Sequence, residues 1–470
     1  MGDAHSAGSA WSIDGTTFSY RSRLGTGVQL GGYVVVAAPQ GSLLGQVLSL
    51  RSLEEAGQRF ITGTGRLLDA PPEQGAFGEV GLSMASEESV AERLNARGAS
   101  VELGTLRAAP DVPARLAAKG FNRHTFLCGQ SGSGKTYSLG RLLEELVLRT
   151  RLPLLVLDPN GDHVHLGRTR EGVAPEVAAA YTEAAGEVTV LGAEPRDGVA
   201  PLRIRLRELG TTAVAALLQL DPVTDREEYN ALIHGLRSAP DQGFASLEAA
   251  TEAFRVSGDE VLDQIRLRVE NLGVDRMVAW AKRSARSFAE VWGQDEPRAL
   301  VADTSGFEER RERIAVTVAV LEHLWAHRTG RRPLLLVVDE AHDVCPAEPA
   351  DPLQRLAVDR FTRIAGEGRK YGIHLLLASQ RPDKLPENVL SQCDNLLLMR
   401  VNSAGDRAAL AAMFGFVAPE LVELAGTFGL GECLLAGKIS PDPQLARTGA
   451  RLTPEGGSDI STDWAAVRTP

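Results

Sequence analysis

The stretch His124-Thr125-Phe126-Leu127-Cys128-Gly129-Gln130-Ser131-Gly132-Ser133-Gly134-Lys135-Thr136 runs from a short apolar strand through a glycine loop into a helix with Leu139, Leu142, Leu143 and Leu146 on its apolar face. The loop satisfies GxxxxGK[ST] in full, in the strand–loop–helix context the motif requires. Its glycines let backbone N–H groups close around phosphate oxygens, and the helix N-terminus adds the positive end of its dipole. Gly129, Gln130, Ser131, Gly132, Ser133, Gly134, Lys135 and Thr136 are therefore the expected phosphate-binding residues. Lys135 is expected to reach the β- and γ-phosphates of ATP, and the Thr136 hydroxyl to ligate Mg²⁺.

Further along, the pattern is of apolar strands alternating with helical stretches. Pro153-Leu154-Leu155-Val156-Leu157-Asp158, Ala299-Leu300-Val301-Ala302-Asp303, Leu334-Leu335-Leu336-Val337-Val338-Asp339, His374-Leu375-Leu376-Leu377-Ala378-Ser379 and Leu396-Leu397-Leu398-Met399-Arg400 read as strands. Uninterrupted apolar strands separated by helices predict a parallel sheet covered on both faces. Ligands of such sheets bind beyond the carboxyl ends of the strands, where Asp158 and Asp339 stand. Asp339 is placed on the Mg²⁺ side and the next acid, Glu340, as the base that polarises the attacking water. Gln380, in Ser379-Gln380-Arg381-Pro382, has an amide that could sense the γ-phosphate. Arg123, just before the first strand, and Arg369, in Gly368-Arg369-Lys370, are candidate cations for the charge that spreads over the γ-phosphoryl oxygens in the transition state.

The first 110 residues have a different texture. Val28 to Val36 and Leu44 to Leu50 are β-rich runs punctuated by glycine and proline, which predicts a small barrel or sandwich, and Ala108 to Pro113 reads as the linker leaving it. Residues 208–290 read as a helical insertion, and 441–470 as a C-terminal tail. The fold class expected is therefore α/β, a P-loop sheet with a helical insertion behind a small N-terminal β-barrel. Hydrophobic residues make up 43% and charged residues 24% of the 470, the composition of a globular protein with packed cores. No stretch approaches the roughly 18–20 apolar residues of a membrane span, and the first residues have no signal-peptide pattern, so a cytoplasmic chain with no membrane partner is expected. Four well-separated cysteines are expected to be reduced and buried. The net charge of −11 argues against general basic coating but leaves room for a local basic channel. Arg203, Arg205 and Arg207 would share one face if 201–207 were a strand, which suits either phosphate contacts or a charged edge.

RHTFLCGQSGSGKT, LLVLDPNGDH, LLLVVDEAHDV, EGRKYGIHLLLASQRPDKLPENVLSQCDN and GLGECLLAG, in that order from about 120 to 440, resemble the HerA family of hexameric DNA-translocating ATPases, relatives of FtsK. The resemblance implies a RecA-like P-loop core in a homohexameric ring, ATP between neighbours and double-stranded DNA in the pore. It implies that residues 1–110 form the family's N-terminal barrel, ahead of an ATPase domain at 120–440. It makes Arg123 and Arg369 transition-state arginines, one of them acting across the subunit boundary. It also implies a separate nuclease or other effector subunit, NurA-like or sirtuin-like, in DNA end processing or anti-phage defence, since the chain shows no nuclease constellation of its own. A rival reading is an ATP-switched scaffold that gathers and activates an effector enzyme. One departure stands out: where the family more often has histidine, glutamate and an aromatic, this chain has Asn160, Asp162 and His163.

Overall fold

A computed structural model describes residues 6–456 apart from 56, 187, 197, 239–246, 283 and 284. The chain falls into two compact units, one formed by residues 1–150, 378–383 and 390–450, the other by 151–377, 384–389 and 451–470.

The first unit begins with seven strands, β1 (Ser6–Ser12), β2 (Thr17–Arg23), β3 (Tyr33–Ala38), β4 (Gly41–Val47), β5 (Arg51–Glu55), β6 (Gln58–Leu67) and β7 (Phe77–Met84). They pair antiparallel in the order β2-β1-β7-β3-β4-β6, and β6 pairs back onto β2, closing a six-stranded barrel with β5 hanging from β6. Closure removes free sheet edges. Alternation does the sorting: in β2, Phe18, Tyr20 and Ser22 are buried, and Phe18 and Tyr20 join Val34, Val36, Val47, Leu67 and Leu82 in the barrel core. The Phe18 ring fits because two strand glycines make room for it. A Cβ on Gly65 would stand 2.2 Å from Phe18 Cζ, and one on Gly45 would stand 2.7 Å from Phe18 Cε1.

The run expected as a strand from Val28 begins only at Tyr33. The Gly32 N–H closes a turn on the Gln29 carbonyl at 3.0 Å, and Gly31 takes φ of +74°. The second expected run, Leu44 to Leu50, is displaced toward the N-terminus, to Gly41–Val47. After the barrel comes helix α1 (Glu87–Ala96), whose N-cap Ser86 accepts from Ser89 N–H. The remaining strands of this unit lie in the order His124–Cys128, Cys393–Leu398, Glu432–Gly437, Gln444–Thr448, Val101–Leu106, Pro113–Leu116. The first pair is parallel and the others are antiparallel. Ala108 to Pro113, expected as a linker, is the turn of a hairpin, with Leu106 N–H donating to Val112 O at 2.9 Å. The stretch expected as a tail from 441 likewise carries the strand Gln444–Thr448, and 457–470 lie outside the described residues.

The second unit holds the parallel strands in the order Ala200–Pro201, Val188–Gly192, Ala299–Asp303, Leu154–Asp158, Leu334–Val338, Ile373–Ser379, the last running on into the first unit. Residues 154–158, 299–303 and 334–338 are buried throughout, as apolar strands covered on both faces should be. Helices Arg310–Ala326 and Pro352–Glu367 pack together in this unit, which also carries helices Thr211–Leu217, Arg226–Ser238, Leu247–Ser257, Glu260–Asn271 and Phe288–Asp295. The α/β class with an N-terminal barrel is thus the one found. All four cysteines are free and buried. Among the described residues no helix is long and apolar enough to cross a membrane.

Candidate nucleotide site

The glycine loop leaves strand His124–Cys128 and enters helix α2 (Lys135–Arg149). Gly132 and Gly134 adopt φ of +72° and +87°, the left-handed region where an L side chain is strained. A Cβ on Gly129 would meet Ser133 Oγ at 2.7 Å and Met399 Cβ at 2.8 Å. The loop is held from both sides by its own unit. Gly129 N–H donates to Ser379 O at 3.3 Å and Gln130 N–H to Arg400 O at 3.0 Å, while Gly431 N–H donates to Ser133 O at 3.0 Å. Asn402 N–H donates to Gln130 Oε1 at 2.9 Å, and Arg400 Nη2 donates to Gly132 O at 2.7 Å. Lys135 is buried at 6% exposure. The Ser133 hydroxyl is fully buried with no protein hydrogen-bond partner, so a phosphate oxygen would satisfy a donor that is otherwise left costly.

Gln380 follows Ser379, the last residue of strand Ile373–Ser379, whose carbonyl already holds Gly129; the structure brings these two expected features together. Ser379 Oγ accepts from Arg381 N–H at 3.0 Å and fixes the turn. Arg123 caps the turn Ala118–Asn122, half exposed, with Nε 3.7 Å from Asp394 Oδ2. Beside it, Asn395 Nδ2 donates to Gly120 O at 3.1 Å and to Thr125 Oγ1 at 3.0 Å, tying this turn to the strand before the loop.

In the second unit Asp158 closes its strand fully buried and accepts four backbone N–H groups, from Asn160 (3.3 Å), Gly161 (2.9 Å), Asp162 (3.1 Å) and His163 (2.8 Å). Burial pushes its carboxyl above the ordinary range and the negative charge of Asp339 adds to this, against the pull of His163 and of the N–H donors. Asp339 is 2% exposed, and its Oδ1 accepts from Glu340 N–H at 2.8 Å. A buried carboxylate of this kind suits a hard cation such as Mg²⁺, which prefers oxygen ligands. Glu340 holds φ of +44°, strain of about 1 kcal/mol or more for a residue with a side chain, and its Oε2 lies 3.3 Å from His342 Nδ1. Arg369 lies in the turn Gly368–Tyr371 after helix Pro352–Glu367, half-buried.

Two residues in this region escape sequence reading. His163, at the position where the chain departs from the family pattern, is fully buried, has no hydrogen-bond partner on either ring nitrogen, and sits with Nε2 3.7 Å from Asp339 Oδ2. Arg400 is the other; its only sequence signal is a cation at the end of an apolar run. The arginines at 203, 205 and 207 do not form a charged strand face, because only Ala200–Pro201 is strand and Leu206–Glu208 is a turn of 3₁₀ helix. Arg203 Nη1 donates to Ala193 O at 2.9 Å, and Arg205 and Arg207 reach Glu290 at 3.0 and 3.5 Å. These are internal pairings, not a free row.

Residues 101–321 match the family model of the HerA helicase central domain. The DNA double-strand break repair helicase HerA of Pyrococcus furiosus is 22% identical over 74% of this chain and 69% of its own length. A probable HerA of Methanocaldococcus jannaschii is 31% identical, over 30% of this chain and 28% of that protein. Among solved structures, VirB4 of Thermoanaerobacter pseudethanolicus superposes with a TM-score of 0.52 at 18% identity, covering 75% of this chain and 97% of that one. The plasmid coupling protein TrwB, bound to a GTP analogue, gives 0.50 at 12% identity over 80% and 95%. These two likenesses speak for the fold. Together with the glycine loop, the sequence matches make the chain an ATP-hydrolysing P-loop enzyme that is similar, over residues 101–321, to the HerA helicase central domain.

Proposed function

We propose that this chain is an ATP-driven motor on double-stranded DNA, a translocase and helicase acting as a homohexameric ring with nucleotide at the boundaries between neighbours. The observation that carries the reading is the glycine loop with its buried, unpartnered Ser133 hydroxyl, hydrogen-bonded to the strand end that bears Gln380. The similarity to HerA helicases named for DNA double-strand break repair supports DNA as the track. In the proposed division, residues 1–110 carry the N-terminal barrel domain and 120–440 the ATPase domain.

The loop N–H groups and Lys135 bind the β- and γ-phosphates of ATP. Thr136 and Asp339 would hold Mg²⁺, which when bound neutralises charge developing on the phosphate oxygens. Asp158 keeps the adjoining 158–163 turn in shape through its four backbone contacts. Glu340 takes a proton from the attacking water, and Gln380 registers whether the γ-phosphate is present. Arg123 and Arg369 supply guanidinium charge to the transition state, one of them in the neighbour's site. Cutting, or any other effector chemistry, belongs to a separate nuclease or effector subunit, in end processing or anti-phage defence.

A triplex-displacement assay tests this directly. Wild type with ATP should strip a third strand from duplex DNA, and Glu340→Gln should bind ATP yet strip none. Displacement that persists in Glu340→Gln, or that is absent from wild type while effector activation is intact, would favour the ATP-switched scaffold instead.

A further inference from the structure

Leu430 is an apolar side chain with an unexpected address. It is 68% exposed, yet it stands beside the phosphate loop: its Cδ1 is 3.4 Å from where a Cβ on Gly134 would lie. The turn that presents it is fastened at several points. Gly429 N–H donates to Glu432 Oε2 at 2.9 Å, and Glu432 N–H donates back to Gly429 O at 3.2 Å. Gly431, with φ of +73°, donates its N–H to Ser133 O at 3.0 Å and accepts from Thr448 N–H at 2.9 Å. Thr448 Oγ1 in turn lies 2.7 Å from Ser138 Oγ on helix α2. A side chain held this firmly, with this much apolar area open, is preorganised for a partner.

The two ends of the loop differ in chemistry. At Gly132 the nearest outside group is the Arg400 guanidinium, 2.7 Å from the Gly132 carbonyl. At Gly134, where helix α2 begins, the nearest outside groups are Leu430 and the Gly431 backbone. A nucleoside triphosphate is polarised in the same sense, a polyanion at one end and a flat, weakly polar ring at the other. Of the two ends, the apolar one beside Leu430 is the one that suits the weakly polar ribose and base.

We infer that the turn Gly429–Gly431 is the base-side rim of the nucleotide site and that Leu430 covers one face of a purine ring. The inference rests on the chain binding ATP through its glycine loop, and it adds the class of base and the way it is read. Leu430 has no donor or acceptor in its side chain, so it reads the face of the ring and not its edge. Adenine and guanine should gain equally from it, and a pyrimidine, with a smaller face, should gain less.

Calorimetric titration of the full chain with AMPPNP, GMPPNP and inorganic tripolyphosphate separates the possibilities. Leu430→Ala should weaken AMPPNP and GMPPNP alike by about 3- to 10-fold, Leu430→Met should keep most of the affinity, and tripolyphosphate should bind both variants as it binds wild type. Because the side chain is exposed, both variants should fold. Unchanged AMPPNP affinity in Leu430→Ala overturns the inference. So does an equal loss for tripolyphosphate, since Leu430 would then act through the shape of the loop. A loss confined to one purine overturns face reading. If wild type binds neither AMPPNP nor tripolyphosphate, it is the ATP-binding reading itself that fails.

Discussion

Replacing Arg93 of helix α1 should be among the costliest single changes outside the nucleotide site. Its guanidinium grips Asp442 with two hydrogen bonds, Nε to Oδ2 at 2.5 Å and Nη2 to Oδ1 at 2.8 Å, and also bonds Asp69 and the Leu68 carbonyl. The side chains of Arg93 and Asp442 are each 6% exposed, whereas Asp69 is 56% exposed. In Arg93→Met the Asp442 carboxylate stays buried without its counter-charge, a loss of about 3–5 kcal/mol. Asp69→Asn removes only a solvated partner and should cost about 0–1 kcal/mol. Arg93→Met combined with Asp442→Leu should recover most of the loss, because an apolar pair of similar volume needs no counter-charge. Urea titration followed by circular dichroism, reading the first transition of each variant, gives the comparison. Equal midpoints for Arg93→Met and Asp69→Asn, or a double variant no better than Arg93→Met, would refute the reasoning.

Two further outcomes follow from packing and charge. His323 sits against the Phe288 ring at 5.8 Å and the His327 ring at 4.3 Å, and burial, with repulsion from His327, pushes its imidazole down from 6.5 to about 4. Its contribution to stability is full above pH 6.5 and is lost as pH falls toward 4, so His323→Phe should flatten that acid limb by about 1–2 kcal/mol in denaturant titrations at stepped pH; an unchanged slope would contradict it. Gly65→Ala should destabilise the barrel by more than about 2 kcal/mol, since its Cβ would lie 2.2 Å from the Phe18 ring and 2.6 Å from the Gln46 carbonyl. A melting temperature equal to wild type would show that Phe18 has room to move.

What could be read from the sequence was what local chemistry dictates. Residues 154–158 and 334–338 announce buried parallel strands because covering both faces demands uninterrupted apolar side chains, and the acids that follow are conspicuous for breaking the run. The loop at 129–136 is legible because its glycines and Lys135 answer to one ligand. Strand ends were less so: glycine turns such as Gly31-Gly32 delayed β3 to Tyr33. The contacts that fasten the loop were not legible. Gly431 to Ser133 and Arg400 to Gly132 join residues some 300 positions apart through backbone carbonyls, and a carbonyl carries no residue signature. The strand Gln444–Thr448 was hidden for a related reason: it is short, and its partners are Glu432–Gly437 and Val101–Leu106. Arg203, Arg205 and Arg207 misled because alternation is only a pattern, and Glu290 and the Ala193 carbonyl claim them instead.

The most direct test of a DNA-driven ATPase is the steady-state rate of ATP hydrolysis by the full chain with and without linear duplex DNA. Wild type should hydrolyse ATP, and duplex should raise the rate several-fold; Glu340→Gln should lower it by roughly 10²-fold or more under both conditions, the usual scale for loss of a general base. A wild-type rate indifferent to duplex would contradict the motor, and a Glu340→Gln rate equal to wild type would contradict the assigned chemistry.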